Sequence, residues 1–465
     1  MLGAFFAALV GGIWLLENRP DLDLWHTVKL DEEFRAESGI DTFADYLALE
    51  ERLFAQLDEL VYDRIAPDDR RFALRYDRGS FADPREQPRD WNRSYELKSA
   101  DPRAGVLLLH GMSDSPYSLR AIGRTLHERG ATVVGMRLPG HGTAPTGLRS
   151  IEDRDLMAAA AVGMRHVREL IGNRPLYVVG YSMGGALAVD YALTALDDKE
   201  LPAVAGIVLI SPAIGVTAAA QFAVWQARVG YLLGLPKLEW NAIEVEYDPF
   251  KYGSFAVNAG DVVYRLTQRI RTGIKRARAN DSLDRLAPIL AFQSVVDATV
   301  STPALIDGLL ANLPPRNDEL VIFDIDRAEG VEPFLARDPA QDIKTAMGDG
   351  GLSFGVSAIT NANPGSEEIV VKQQHEGSQL KTTSPLNATW PPDIVSLSHV
   401  ALPFPPNDEL YGATRPSDDR LYLGDLSIRG ERNLLLLPAA AQLRLRWNPF
   451  YDYLERRTVA FIGLN

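Results

Sequence analysis

Short, almost wholly apolar runs recur along the chain at 106–109 (Val-Leu-Leu-Leu), 132–136, 176–179, 206–210 and 289–294. Runs of this length without polar alternation predict strands buried on both faces. Between them, apolar residues return at helical spacing over 119–129, 151–170 and 184–195, with Gly130 placed to close the first helix. Strands alternating with helices in this way predict an α/β protein: a mostly parallel central sheet with helices on both faces. Residues 21–75 also look helical, with Phe43, Tyr46, Leu47, Leu49, Leu53, Phe54, Leu57 and Leu60 spaced along one side, and residues 77–91 form a Pro-, Arg- and Asp-rich loop.

Two stretches break the rhythm. Residues 214–285 are dense in aromatics, including Phe222, Trp225, Tyr231, Trp240, Tyr247, Phe250, Tyr252 and Phe255. Residues 328–392 are rich in Gly, Ser, Asn and Thr, and the alternation at 368–372 suggests a small β insertion or a loop. No repeat with a period of 20 to 50 residues is visible. The expected organisation is 1–20 a hydrophobic segment, 21–90 a helical extension, and 91–213 the first part of the core. A cap over 214–285, core again over 286–327, an insertion over 328–392 and a C-terminal core part over 393–465 complete it.

The first segment, LGAFFAALVGGIWLL over 2–16, carries no charge before Glu17 and is shorter than the roughly 20 apolar residues of a spanning helix. It reads as a short membrane anchor, against a helix packed on the protein or lying in the membrane interface and against a cleaved signal, so the expected location is membrane-associated; a soluble cytoplasmic or periplasmic protein is the alternative. The 465 residues, 46% hydrophobic and 24% charged, describe a globular chain. A net charge of −14 argues against a nucleic-acid partner. The absence of cysteine excludes disulfides, thiolate zinc sites and cysteine nucleophiles. Nothing in the sequence sets an oligomeric state.

Gly180-Tyr181-Ser182-Met183-Gly184 matches G-x-S-x-G, a pattern weak enough that Gly351-Leu352-Ser353-Phe354-Gly355 matches it too. Context separates them. A serine nucleophile needs a strained turn between a buried strand and a helix, which lifts its hydroxyl clear of the backbone. Ser182 has a strand before it and a helix after it; Ser353 has neither, and reads as a loop or strand serine. In this arrangement the order along the chain is Ser, acid, His. Only His375 and His399 follow Ser182, and His375 sits in a polar run, so His399 is the expected base. Its predecessors 393–398 read as a strand running into a loop. Asp297, just past the strand 289–294, is the expected acid, with Asp324 and Asp326 as rivals. Two backbone N–H groups should hold the oxyanion: that of Met183, after the nucleophile, and that of Met112, in the loop after the first core strand. His110, Gly111, His141 and Tyr181 are candidate substrate contacts, although both histidines read equally as braces of their loops.

His110-Gly111, Gly180 to Gly185, the Asp297 turn and Ser398-His399 together resemble the α/β-hydrolase superfamily, and within it bacterial carboxylesterases, monoacylglycerol lipases, lysophospholipases and serine-aminopeptidase-like hydrolases. The resemblance implies a serine ester hydrolase working through an acyl-enzyme on acylglycerol or lysolipid-type substrates, with no metal or organic cofactor. It also implies that residues 214–285 form a lid over an acyl pocket. A serine peptidase would use the same triad, marked by a cap carboxylate such as Glu239, Glu244 or Glu246 to receive an amine. A catalytically inactive, anchored binding protein is the non-enzymatic alternative. The long gap between Asp297 and His399 departs from the family pattern.

Overall fold

The computed structural model describes residues 18–66, 68, 74–215, 235–297, 299–327, 331–347, 352–417, 420–424, 427–428 and 443–465. Ten strands form one sheet: β1 (Tyr95–Leu97), β2 (Ala104–Leu109), β3 (Ala131–Met136), β4 (Leu176–Tyr181), β5 (Gly206–Ile210), β6 (Ile289–Ser294), β7 (Glu319–Phe323), β8 (Gly355–Asn361), β9 (Ile369–Gln374) and β10 (Lys381–Leu386). Their spatial order is β1-β3-β2-β4-β5-β6-β7-β8-β9-β10. Pairing is parallel from β3 through β8 and antiparallel at β1, β9 and β10. The swap of β3 and β2 sends the chain outward to one edge and then back across the sheet, which is how doubly wound folds cover both faces.

The apolar runs pack as their lack of alternation predicts. Leu107 and Leu109 of β2, Val178 of β4 and Ile207 and Leu209 of β5 enter one core. Their neighbours Val106, Leu108, Val179, Val208 and Ile210 enter the other. Helices α1 (Phe43–Leu60), α3 (Asp153–Ile171), α4 (Met183–Thr194) and α5 (Val257–Ala279) supply side chains to the first core. Helices α2 (Arg120–Glu128) and α8 (Tyr451–Ile462) supply them to the second; the short α6 (Thr302–Gly308) and α7 (Ala340–Met347) follow β6 and β7.

Among the described residues of 21–75, less is helical than the spacing suggests: beyond one turn at Leu24–Thr27, α1 and single 3₁₀ turns form. Buried charge holds this extension instead. Arg137, fully buried after β3, bonds Glu33 at 3.0 Å and Glu50 at 3.0 Å, while Tyr46 donates to the Arg137 carbonyl at 2.7 Å.

The insertion is not a separate unit. Its three strands β8, β9 and β10 lengthen the main sheet, because β8 finds the parallel edge that β7 leaves open. The stretch 393–398, expected as a strand, is irregular, and its backbone turns at Asp393 with φ +62°. It is nonetheless tied to the end of β7, since Asp326 N–H donates to the Val395 carbonyl at 2.8 Å. The chain therefore leaves the core and re-enters it at nearly one point.

Of the expected cap, residues 216–234 lie outside the described residues, including Phe222, Trp225 and Tyr231. The rest holds α5, pinned to α4 by Arg269 Nε to Asp190 at 2.7 Å, and a two-stranded ribbon of Trp240–Ala242 and Phe255–Ala256. The expectation of membrane attachment is corrected: among the described residues no helix is long and apolar enough to cross a membrane, and the run 2–16 itself lies outside them.

Candidate active site

Ser182 stands between the end of β4 and the first residue of α4, with φ +53° and ψ −117°. A side chain other than glycine in that region costs on the order of 1–3 kcal/mol and is held there only by its surroundings. Here Ser182 N–H donates to the Ile210 carbonyl at 3.0 Å, and the Ser182 carbonyl accepts from Gly185 and Ala213, each at 3.0 Å. The turn also needs glycine. A Cβ on Gly180 would lie 2.3 Å from the Gly184 carbonyl oxygen, and one on Gly184 would lie 2.0 Å from that of Leu109. The second motif lacks this setting: Ser353 precedes β8, and its hydroxyl donates to the Leu310 carbonyl at 3.3 Å.

Residues 217 and 102 positions apart meet at this elbow. His399 Nε2 lies 3.1 Å from Ser182 Oγ, and His399 Nδ1 lies 2.8 Å from Asp297 Oδ2. An ionised carboxylate only accepts, so Nδ1 carries the proton and Nε2 is left as the acceptor for the serine hydroxyl. Asp297 is fixed on both oxygens. Oδ1 accepts the Thr299 and Val300 N–H groups at 2.8 and 3.0 Å, and Oδ2 also accepts Gln293 Nε2 at 3.1 Å. The rivals are spent elsewhere: Asp324 on Arg327 and Thr360, Asp326 on Asn361. His375 is exposed, in the turn after β9.

Met183 is the first residue of α4, where N–H groups lack intrahelical partners and the helix dipole is positive. Met112 follows β2 in the loop His110 to Asp114, and among the described residues its N–H has no backbone acceptor. The other candidate contacts turn inward. His110 sits between the Gly111 carbonyl at 2.8 Å and the Leu138 N–H at 3.0 Å, and burial holds its ring neutral, well below the usual histidine range. His141 is equally buried, its Nδ1 2.9 Å from the Pro139 carbonyl, and desolvation lowers its pKa to about 4. Tyr181 lies beneath the base, ring to ring at 5.3 Å, with its hydroxyl donating to the His399 carbonyl at 3.4 Å.

Sequence reasoning missed Gln293, which is one buried glutamine in an apolar run, and the contacts across the mouth of the site. Lys251 Nζ lies 3.3 Å from Asp114 Oδ1, and Tyr252 N–H donates to the Ser113 carbonyl at 2.8 Å, so the Met112 loop is tied to the segment before α5. Burial pushes the Asp114 carboxyl up, while Lys251 pulls it down. Of the expected lid aromatics, Trp240, Phe250 and Tyr252 are core residues; Tyr247 is partly exposed. Of the cap carboxylates, Glu239 pairs with Arg149, and Glu246 is buried, accepting the Gly253 and Ser254 N–H groups at 2.9 Å each. Glu244 lines a cavity.

A ten-stranded, mostly parallel sheet with a serine at a strand–helix elbow defines the α/β-hydrolase class. Residues 100–324, just under half of the chain, match the family described as serine aminopeptidase, S33, so the core carries this hydrolase fold. A thermostable monoacylglycerol lipase of Bacillus sp. (strain H-257) is 32% identical over 116 residues, which are 25% of this chain and 43% of that one. The chain thus matches less than half the length of that relative. Among solved structures, a monoacylglycerol lipase of Paleococcus ferrophilus is 19% identical, covering 50% of this chain and 88% of that one, with a TM-score of 0.38. A thermostable carboxyl esterase of Bacillus coagulans, bound to glycerol, is 14% identical over 50% of this chain and 84% of its own, with a TM-score of 0.39.

Proposed function

We propose that the protein is a serine hydrolase of carboxylic esters, with Ser182 as nucleophile, His399 as base and Asp297 as the orienting acid. The observation that carries this reading is the continuous relay from Ser182 Oγ to His399 Nε2 at 3.1 Å and from His399 Nδ1 to Asp297 at 2.8 Å, on a strained elbow. His399 Nε2 takes the hydroxyl proton as Oγ attacks the ester carbonyl carbon. Negative charge moves to the carbonyl oxygen, where the Met112 and Met183 N–H groups stabilise it. The C–O bond to the alcohol then breaks, and His399 gives its proton to the departing oxygen. In the second half His399 takes a proton from water, hydroxide adds to the acyl-enzyme, and collapse returns the proton to Ser182. Asp297 stabilises the imidazolium in both halves.

Acylglycerol or lysolipid-type esters are the proposed substrates, supported by the monoacylglycerol lipase relative. A peptidase would need a carboxylate for the substrate amine, and two of its three candidates, Glu239 and Glu246, are already bonded. Ester over peptide is therefore the favoured reading. Hydrolysis of p-nitrophenyl esters of graded chain length tests it, against amino-acid p-nitroanilides. Cleavage of the anilides alone would replace the ester reading with the peptidase one.

A further inference from the structure

Three consecutive residues of the segment before α5 grip the loop that carries Met112. Phe250 stacks on Tyr117, with ring centroids 4.4 Å apart and planes 12° from parallel. Lys251 Nζ lies 3.3 Å from Asp114 Oδ1, and Tyr252 N–H donates to the Ser113 carbonyl at 2.8 Å. The segment is itself fixed, because Asp248 Oδ1 accepts the Phe250 and Lys251 N–H groups at 3.0 and 3.1 Å and its Oδ2 accepts the Tyr411 hydroxyl. The loop is held against its own preference: Ser113 has φ +64°, a left-handed conformation that a serine keeps only where its surroundings impose it.

Asp114 sits inside this turn and is 5% exposed. Its Oδ2 rests against Gly111, where an added Cβ would meet it at 3.2 Å, so one carboxylate oxygen braces the residue before Met112 and the other meets Lys251. A buried carboxylate so close to an oxyanion donor is a hazard, because its charge opposes the negative charge that develops on the ester oxygen. Burial raises this carboxyl, Lys251 lowers it, Asp248 raises it and His399 lowers it, and of these groups Lys251 is paired with it directly.

We propose that Lys251 is a positioning residue for ester hydrolysis: by pairing with Asp114 it fixes the Met112 loop and cancels a charge that would repel the oxyanion. The inference rests on the ester-hydrolase reading, with Met112 as an oxyanion donor, and it gives the segment before α5 a part in turnover.

The test compares wild type with Lys251→Met, Lys251→Gln and Lys251→Arg, using an alkyl trifluoromethyl ketone and the methyl ketone of the same chain. Ser182 Oγ adds to the fluorinated carbonyl carbon, its proton passes to His399 Nε2, and the ketone oxygen becomes an oxyanion held as the ester's would be. The methyl ketone binds without that charge. The ratio of the two inhibition constants therefore reads oxyanion stabilisation, whatever fraction of a variant is folded. Deleting an oxyanion donor outright costs about 10²–10³-fold, so a displaced loop beside a bare carboxylate should shrink the preference for the fluorinated ketone by roughly tenfold or more in Lys251→Met and Lys251→Gln. On p-nitrophenyl acetate kcat should fall in step with KM little changed, and Lys251→Arg, which keeps the cation, should recover most of both losses. A preference unchanged in the Met and Gln variants, a loss confined to KM, or an equal loss in Lys251→Arg would overturn the inference while leaving the hydrolase reading intact. A wild type that binds both ketones equally and leaves p-nitrophenyl acetate uncleaved would instead defeat that reading and this inference with it.

Discussion

The two G-x-S-x-G motifs make a paired prediction, because alanine at the last glycine of each meets opposite surroundings. At Gly184 an added Cβ would lie 2.0 Å from the Leu109 carbonyl oxygen, 2.5 Å from that of His110 and 2.5 Å from the Leu109 carbonyl carbon. All three are backbone atoms, of β2 and the residue directly after it, so no rotamer change relieves the clash. Overpacking typically costs about 1–3 kcal/mol, and a methyl group forced against fixed carbonyls belongs at the upper end. A loss of about 3 kcal/mol is a large fraction of a typical 5–15 kcal/mol stability. It also pushes α4 away from β2, moving the Met183 N–H relative to Ser182. At Gly355 the nearest atom to an added Cβ is the Gln374 carbonyl oxygen at 3.4 Å, an ordinary contact, and strand alanine is favoured over glycine by about 0.5–1 kcal/mol. Gly184→Ala should therefore lower the urea midpoint and abolish labelling by a fluorophosphonate, while Gly355→Ala should leave both unchanged or raise the midpoint slightly. A Gly184→Ala protein as stable and as readily labelled as wild type would refute the close packing of strand and helix at the elbow.

Asp297→Asn should keep the fold but reduce ester turnover by about 10⁴-fold, because the amide favours the wrong imidazole tautomer; steady-state kinetics on a p-nitrophenyl ester would read it. Gln293→Leu removes one donor to the Asp297 carboxylate, and a hydrogen bond to a charged group is worth about 1.5–3 kcal/mol, so turnover should fall by about tenfold or more with KM little changed. Arg137→Met strands Glu33 and Glu50 without their buried cation, and urea unfolding should report a loss of about 3–5 kcal/mol. Burial lowers the pKa of His26 from its ordinary 6.5 to about 4, and its Nδ1 accepts the Asp23 N–H at 3.0 Å. The unfolded chain thus binds more protons between these values, so stability is full above pH 6.5 and falls as pH drops toward 4. His26→Phe should shrink that fall in pH-dependent unfolding.

The core was legible because its physics is local. A strand buried on both faces must be apolar throughout, so β2, β4, β5 and β6 announce themselves, and the Ser182 elbow follows from the strand and helix that flank it. His399 was reached by elimination among two histidines, although the strand expected before it does not exist. Its position depends on the Asp326–Val395 contact across the insertion, a long-range pairing with no sequence period. The incorporation of β8–β10 into the main sheet was hidden for the same reason: strand alternation at 368–372 says that a strand forms, not which edge it joins. Lys251 is an ordinary surface type in sequence and meets Asp114 only through the fold. The burial of Trp240, Phe250 and Tyr252 shows that aromatic density alone does not separate a lid from a core.

The most direct test of the central claim is active-site labelling of the full chain with a fluorophosphonate, comparing wild type with Ser182→Ala and His399→Ala under conditions where all three are folded by circular dichroism. Labelling of the wild type, its loss in both variants and a drop in ester turnover of about 10³-fold or more are the predicted result. Persistent labelling of Ser182→Ala, or a folded wild type that neither labels nor turns over ester, would contradict it.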